Sequence, residues 1–101
     1  MFNSELMHPL FQKSTGLTET IIAAAIEVHR DKGPGPLRFD VLVEGCVLVE
    51  AKAVEKILPI HKAQLLSYMK LLNVPLGLLI NFHEIKVTDG ISRLILPGAN
   101  L

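Results

Sequence analysis

The sequence predicts a small α/β (α+β) domain, a mixed β-sheet flanked by two helices in the order helix, strand, strand, helix, strand, strand. Three observations carry this. Apolar residues recur at helical spacing in two stretches, two short runs flanking Gly45 alternate like the arms of a hairpin, and Leu76 to Phe82 is a nearly continuous apolar run of strand length. At 101 residues, 50% of them hydrophobic and 20% charged, the chain is long enough for one core and too apolar to be disordered.

Residues 1–14 show no sustained period and include His8-Pro9, so an irregular N-terminal arm docking on a single domain of residues 15–101 is expected. From Leu17 to Asp31 the residues Leu17, Ile21, Ala24, Ala25 and Val28 share one helical stripe, widened by Ile22 and Ile26. Thr15 is the expected cap, and Glu19 complements the dipole of the first turn. Gly33-Pro34-Gly35-Pro36 ends the helix.

The hairpin of residues 37–53 comes next, and its register decides which side chains meet. A two-residue turn at Glu44-Gly45 would put Phe39 on the face of Glu50 and Lys52, setting charge over an aromatic core residue. A three-residue loop, Glu44-Gly45-Cys46, makes one face wholly apolar: Phe39, Val41, Val43, Val47, Val49 and Ala51. The other face carries Arg38, Asp40, Leu42, Leu48, Glu50 and Lys52, with Asp40 opposite Glu50 and Arg38 opposite Lys52. This second register is expected because it separates core from chemistry.

Pro59 suits a first helical turn, and Ile60 to Asn73 forms the second helix, with Ala63, Leu66, Met69 and either Leu65 or Leu72 facing inward. Leu76 to Phe82 reads as a central strand buried on both faces. His83 to Gly90 reads as a polar loop with a turn at Asp89-Gly90, and Ile91 to Leu96 as a last strand.

Composition narrows the function. No apolar run approaches membrane-spanning length and no basic, then apolar, leader opens the chain, so a cytoplasmic protein without a membrane partner is expected. The single cysteine, Cys46, cannot form an internal disulfide and reads as a small residue at the hairpin tip. Ten basic residues balance ten acidic ones, so DNA or RNA would meet no strong electrostatic attraction.

Asp40, Glu50 and Lys52 are the candidate chemical centre. Two carboxylates supply hard oxygen ligands for Mg²⁺ (or Mn²⁺), and an ammonium beside them can orient or activate water, as metal-dependent phosphodiester hydrolysis requires. The plainer reading is an ion-pair cluster on a solvated sheet face, since these residue types are common. On the second helix His61, Gln64 and Tyr68 share a stripe overlooking the sheet. Gln64 and Tyr68 either position phosphate or water or form a solvated edge, and His61 is expected to be solvated. Glu27 and His29 point about 200° apart on the first helix and cannot both face a site. Glu27 is read as a surface residue and His29 as a partner of the helix dipole. His8 and His83 have no partners at a metal-binding spacing.

Several stretches resemble the GxxExxY proteins, a branch of the PD-(D/E)xK nuclease-like superfamily. They are Ile21 to Arg30 with Gly33-Pro34-Gly35, Leu37 to Val43, Val49 to Glu55, Pro59 to Tyr68, Gly77 to Phe82 and Asp89-Gly90-Ile91. The resemblance implies a restriction-endonuclease-like core in which Asp40 and Glu50 bind the metal, Lys52 acts on water, and Gln64 with Tyr68 is similar to the Gln-x3-Tyr helix of RecB-type nucleases. The chain departs from the pattern where Pro36-Leu37-Arg38 follows Gly35 directly, so the naming motif and an outer strand are absent. Such a truncation leaves a strand edge uncovered, for which a homodimer is expected, and it puts two readings side by side: a Mg²⁺-dependent nuclease-like domain whose activity the truncation has removed or spared, and a non-catalytic interaction module.

Overall fold

The computed structural model describes residues 7–36 and 38–101; the expectations for residues 1–6 and for Leu37 lie outside them. Helix α1 (Phe11–Lys32) precedes the hairpin β1 (Phe39–Val43) and β2 (Val47–Lys52). Helix α2 (Pro59–Leu72), β3 (Leu76–Asn81), a 3-10 turn (Val87–Gly90) and β4 (Ile91–Ile95) follow. The four strands form one mixed sheet in the order β1-β2-β3-β4, antiparallel except for the β2–β3 pair that α2 connects. The two helices cover opposite faces, and the predicted fold class and element order hold.

Alternation along the strands sorts the core into two layers. Val47, Val49, Ala51, Leu76, Leu78 and Ile80 face α1 and pack with Ala25; Leu48 and Leu79 face α2 and pack with Leu65 and Met69. All of β3 is buried, as a central strand must be.

Helix α1 starts at Phe11, ahead of the predicted boundary, so Thr15 is no cap and lies inside the helix, where its Oγ1 accepts from Arg93 Nη2 (3.4 Å). The reason is chemical. Ser14 and Thr18 occupy the inward stripe with Ala25 and His29, and their hydroxyls are satisfied by the helix itself, donating to Phe11 O (2.7 Å) and Ser14 O (3.1 Å). A period counted on apolar residues alone passes over them. The arm expected over residues 1–14 is helical from Phe11 onward, and ahead of the helix His8 ties the chain to the domain. Its Nδ1 accepts the Leu10 N–H (3.1 Å), which leaves Nε2 to donate to Asn73 O (2.9 Å), and its own N–H donates to Ala99 O (3.0 Å).

On α2 the inward residues are Leu65 and Met69, both fully buried, with Leu66 partly so; Ala63 and Leu72 are exposed, contrary to the stripe read from spacing. Gly77 explains the rotation. A Cβ there would stand 2.6 Å from Met69 Sδ and 3.2 Å from Leu65 Cγ, so the missing side chain makes the notch that admits both. The predicted polar loop after β3 also holds a surprise: Val87 is buried, anchoring the 3-10 turn against α1.

Candidate active site

The site is built on the hairpin, and the three-residue loop is the one observed. Glu44 (φ 50°) and Gly45 (φ 73°) are both left-handed, the Cys46 N–H closes the turn on Val43 O (3.0 Å), and Val43 pairs with Val47. Cys46 is the last residue of this loop at the hairpin tip, yet it is not exposed. Its side chain is fully buried in the α1-side core, because the loop has already turned inward at its third position.

This register sets Asp40 directly opposite Glu50, so their side chains project from one face with Cβ atoms about 5 Å apart. The two acids live in different surroundings. Asp40 sits on the edge strand and is exposed, whereas Glu50, on the inner strand, is only 7% exposed. Lys52, two residues on, returns to the same face, and its Nζ stands 3.9 Å from Glu50 Oε1, close enough for attraction and too far for a hydrogen bond. Glu50 Oε2 is buried with no hydrogen-bond partner. Burial pushes the Glu50 carboxyl above its ordinary range, the Lys52 charge works against that shift, and the Asp40 charge adds to it. A carboxylate in this state is short of positive charge.

Asn81 holds the strand ends in place, and the sequence reading gave it no role. It pairs with Lys52 across β2 and β3, and its fully buried side chain donates through Nδ2 to Val54 O (2.7 Å). Its Oδ1 accepts from the Val54 N–H (3.1 Å) and the His83 N–H (3.1 Å). The segment leaving Lys52 is therefore clamped to β3. Asn81→Ala removes three hydrogen bonds to part-buried backbone groups, at about 1–3 kcal/mol in all; denaturant titration is expected to show a loss of that order.

Two clefts meet at the acid pair. One, about 220 Å³, is walled by Leu48, Leu65, Tyr68, Leu71 and Leu72 and closed by Asp40 and Glu50. The other, about 370 Å³, is lined by Asp40, Glu50 and Lys52 with Arg38, Phe39, Ala51 and Val54. Of the residues predicted to act together, the fold gathers Asp40, Glu50, Lys52 and Tyr68. Gln64 is exposed and lines neither cleft. His61 caps α2, its Nδ1 accepting the Leu58 N–H (2.9 Å), instead of standing free in solvent. Arg38 lies just ahead of β1, outside the paired register that begins at Phe39 and Ala51, and donates through Nη2 to Ala53 O (3.3 Å).

The remaining polar candidates are structural. Glu27 pairs with Arg30 at the surface (3.0 Å), and His29 is buried beside Phe82, its ring centroid 6.4 Å away and its Nε2 donating to Glu84 O (2.6 Å). Among the described residues no group of three or more His, Cys, Asp or Glu is placed to hold a metal, and no helix is long and apolar enough to cross a membrane.

A mixed sheet between two helices, with two acids and a lysine on paired strands, defines a nuclease-like core. The chain belongs to the PD-(D/E)XK nuclease superfamily, whose sequence pattern matches residues 35–94, more than half its length. No curated protein and no solved structure matches it.

Proposed function

We propose that this domain hydrolyses phosphodiester bonds of DNA or RNA with a divalent cation, Mg²⁺ or Mn²⁺, held between Asp40 and Glu50. The observation that carries the reading is the orphaned Glu50 Oε2, buried beside a second carboxylate with only a loose ion pair to Lys52. An unpartnered buried carboxylate oxygen is costly, and a cation is the partner that chemistry offers it. Two protein carboxylates are a fitting share for Mg²⁺, which keeps several waters and takes further oxygens from substrate phosphate. When bound, the cation would supply charge to polarise the phosphate and to acidify a water.

The chain's own groups do the remaining work. Asp40, exposed at the mouth, meets substrate first, while Glu50 fixes the inner position. Lys52 Nζ orients the water and stabilises the negative charge that develops on the phosphate oxygens. Tyr68, on the wall of the apolar cleft, orients the sugar or base next to the scissile phosphate. Gln64, one helical turn before Tyr68 but outside both clefts, would act only on a substrate that extends beyond them.

Cleavage assays on single- and double-stranded DNA and RNA, with and without Mn²⁺, test this. The expected outcome is metal-dependent cleavage abolished in Asp40→Ala. A folded wild type that binds the cation but cleaves nothing would support the second reading, an interaction module on a nuclease-like fold, which the exposed apolar surface around β1 favours. Absence of cation binding sinks the nuclease proposal outright.

A further inference from the structure

Strand β1 is an edge of the sheet and the strand that carries Asp40. Among the described residues nothing pairs with its outer side, so its outward N–H and C=O groups are open to another strand. Exposed apolar side chains crowd this edge from both faces. On the α1 side Val28, Phe39 and Val41 border a wholly apolar groove of about 220 Å³, and on the α2 side stand Leu42, Leu71 and Leu72, with Leu71 80% exposed. The other edge, β4, differs: apart from Arg93 it is at least half-buried along its length.

We propose that the occupant is a second copy of this chain, with β1 pairing antiparallel to its counterpart about a two-fold axis at Val41. The strand's charges admit self-pairing and fix its register. Centred on Val41, Phe39 lies opposite Val43 of the second copy and Asp40 opposite its Leu42, so no like charges meet. Centring on Asp40 would oppose two carboxylates, and centring on Leu42 would set Asp40 against the second copy's Glu44; both are disfavoured across a strand pair. The Val41 register also keeps Phe39, Val41 and Val43 of both copies on one face, so that each extends the apolar groove of the other. The resulting sheet has eight strands, and both acid pairs open on the same face, each next to the seam.

The proposal is independent of catalysis, and its test needs none. Light scattering over a range of concentrations is expected to give twice the chain mass for the wild type and the single mass for Val41→Lys, with unchanged circular dichroism. Cross-linking then reads the register. Under mild oxidation Val41→Cys is expected to form a disulfide-linked dimer, because side chains on the axis face each other within bonding reach. Asp40→Cys and Leu42→Cys alone should link poorly, while their mixture links well; the native Cys46 is buried and leaves the wild type unlinked. A wild type that stays monomeric at every concentration overturns the proposal and hands the edge to a strand from a different protein. Leu42→Cys linking as fast as Val41→Cys overturns the register.

Discussion

Glu50→Gln is expected to make the metal-free protein more stable while abolishing its hold on a divalent cation. Both effects have one cause. The Glu50 carboxyl is buried, faces the Asp40 charge and is only loosely countered by Lys52, so the fold favours its protonated form and its pKa lies above the ordinary 4.5. For a carboxyl shifted upward, the stabilising contribution is fully present below the unfolded value and is lost as pH rises through the folded one. Once ionised, Glu50 is a buried charge that glutamine does not carry. Removing it is worth about 1 kcal/mol, or roughly 4–8 °C in Tm for a domain of this size. The gain should appear at neutral pH and vanish in acid, where Glu50 is itself protonated. Scanning calorimetry across pH checks this, and titration with Mn²⁺ should show binding by the wild type that weakens as pH falls through the raised Glu50 value. A Glu50→Gln variant less stable than the wild type at pH 7 would mean that the carboxylate is a structural asset and not a ligand awaiting its ion.

The second large effect belongs to Lys52. Lys52→Ala is expected to reduce cleavage by about 10²–10³-fold, the usual loss when a group that stabilises developing charge is removed. Cation binding should survive, but moved. The Lys52 charge is the main influence holding the Glu50 pKa down, so its loss lets that value rise further and shifts the binding curve to higher pH. Lys52→Arg separates the two roles. It keeps the charge and so restores the pH profile of binding, yet guanidinium cannot give up a proton and reaches with a different geometry, so cleavage should stay low. Equal loss of binding in Lys52→Ala and Lys52→Arg would show that Lys52 acts on the fold and not on the reaction.

The parts of the site that charge patterning governs were legible in the sequence. Only one hairpin register keeps carboxylates and ammonium off the apolar face, and Asp40 does lie opposite Glu50. Tyr68 at the cleft and the buried β3 followed from helical and strand periods in the same way. What could not be read depended on contacts far apart in the chain. Asn81 looked like one polar residue closing an apolar run, and only its place beside Val54 and His83 makes it a clamp. The early start of α1 was hidden because its inward residues include Ser14 and Thr18, whose hydroxyls bond backward along the helix. The buried position of Cys46 and the rotation of α2 onto Leu65 and Met69 come from a turn conformation and from the notch at Gly77, which no period encodes. Gln64 shares a helical stripe with Tyr68 but stands outside both clefts.

One measurement bears most directly on the acid pair: anomalous diffraction from crystals soaked in Mn²⁺ at neutral pH. The expected result is a single strong peak between the Asp40 and Glu50 carboxylates, within coordination distance of Glu50 Oε2 and missing from Asp40→Ala crystals. No peak there at saturating Mn²⁺, or one that persists without Asp40, would contradict the assignment of these two residues as the cation site.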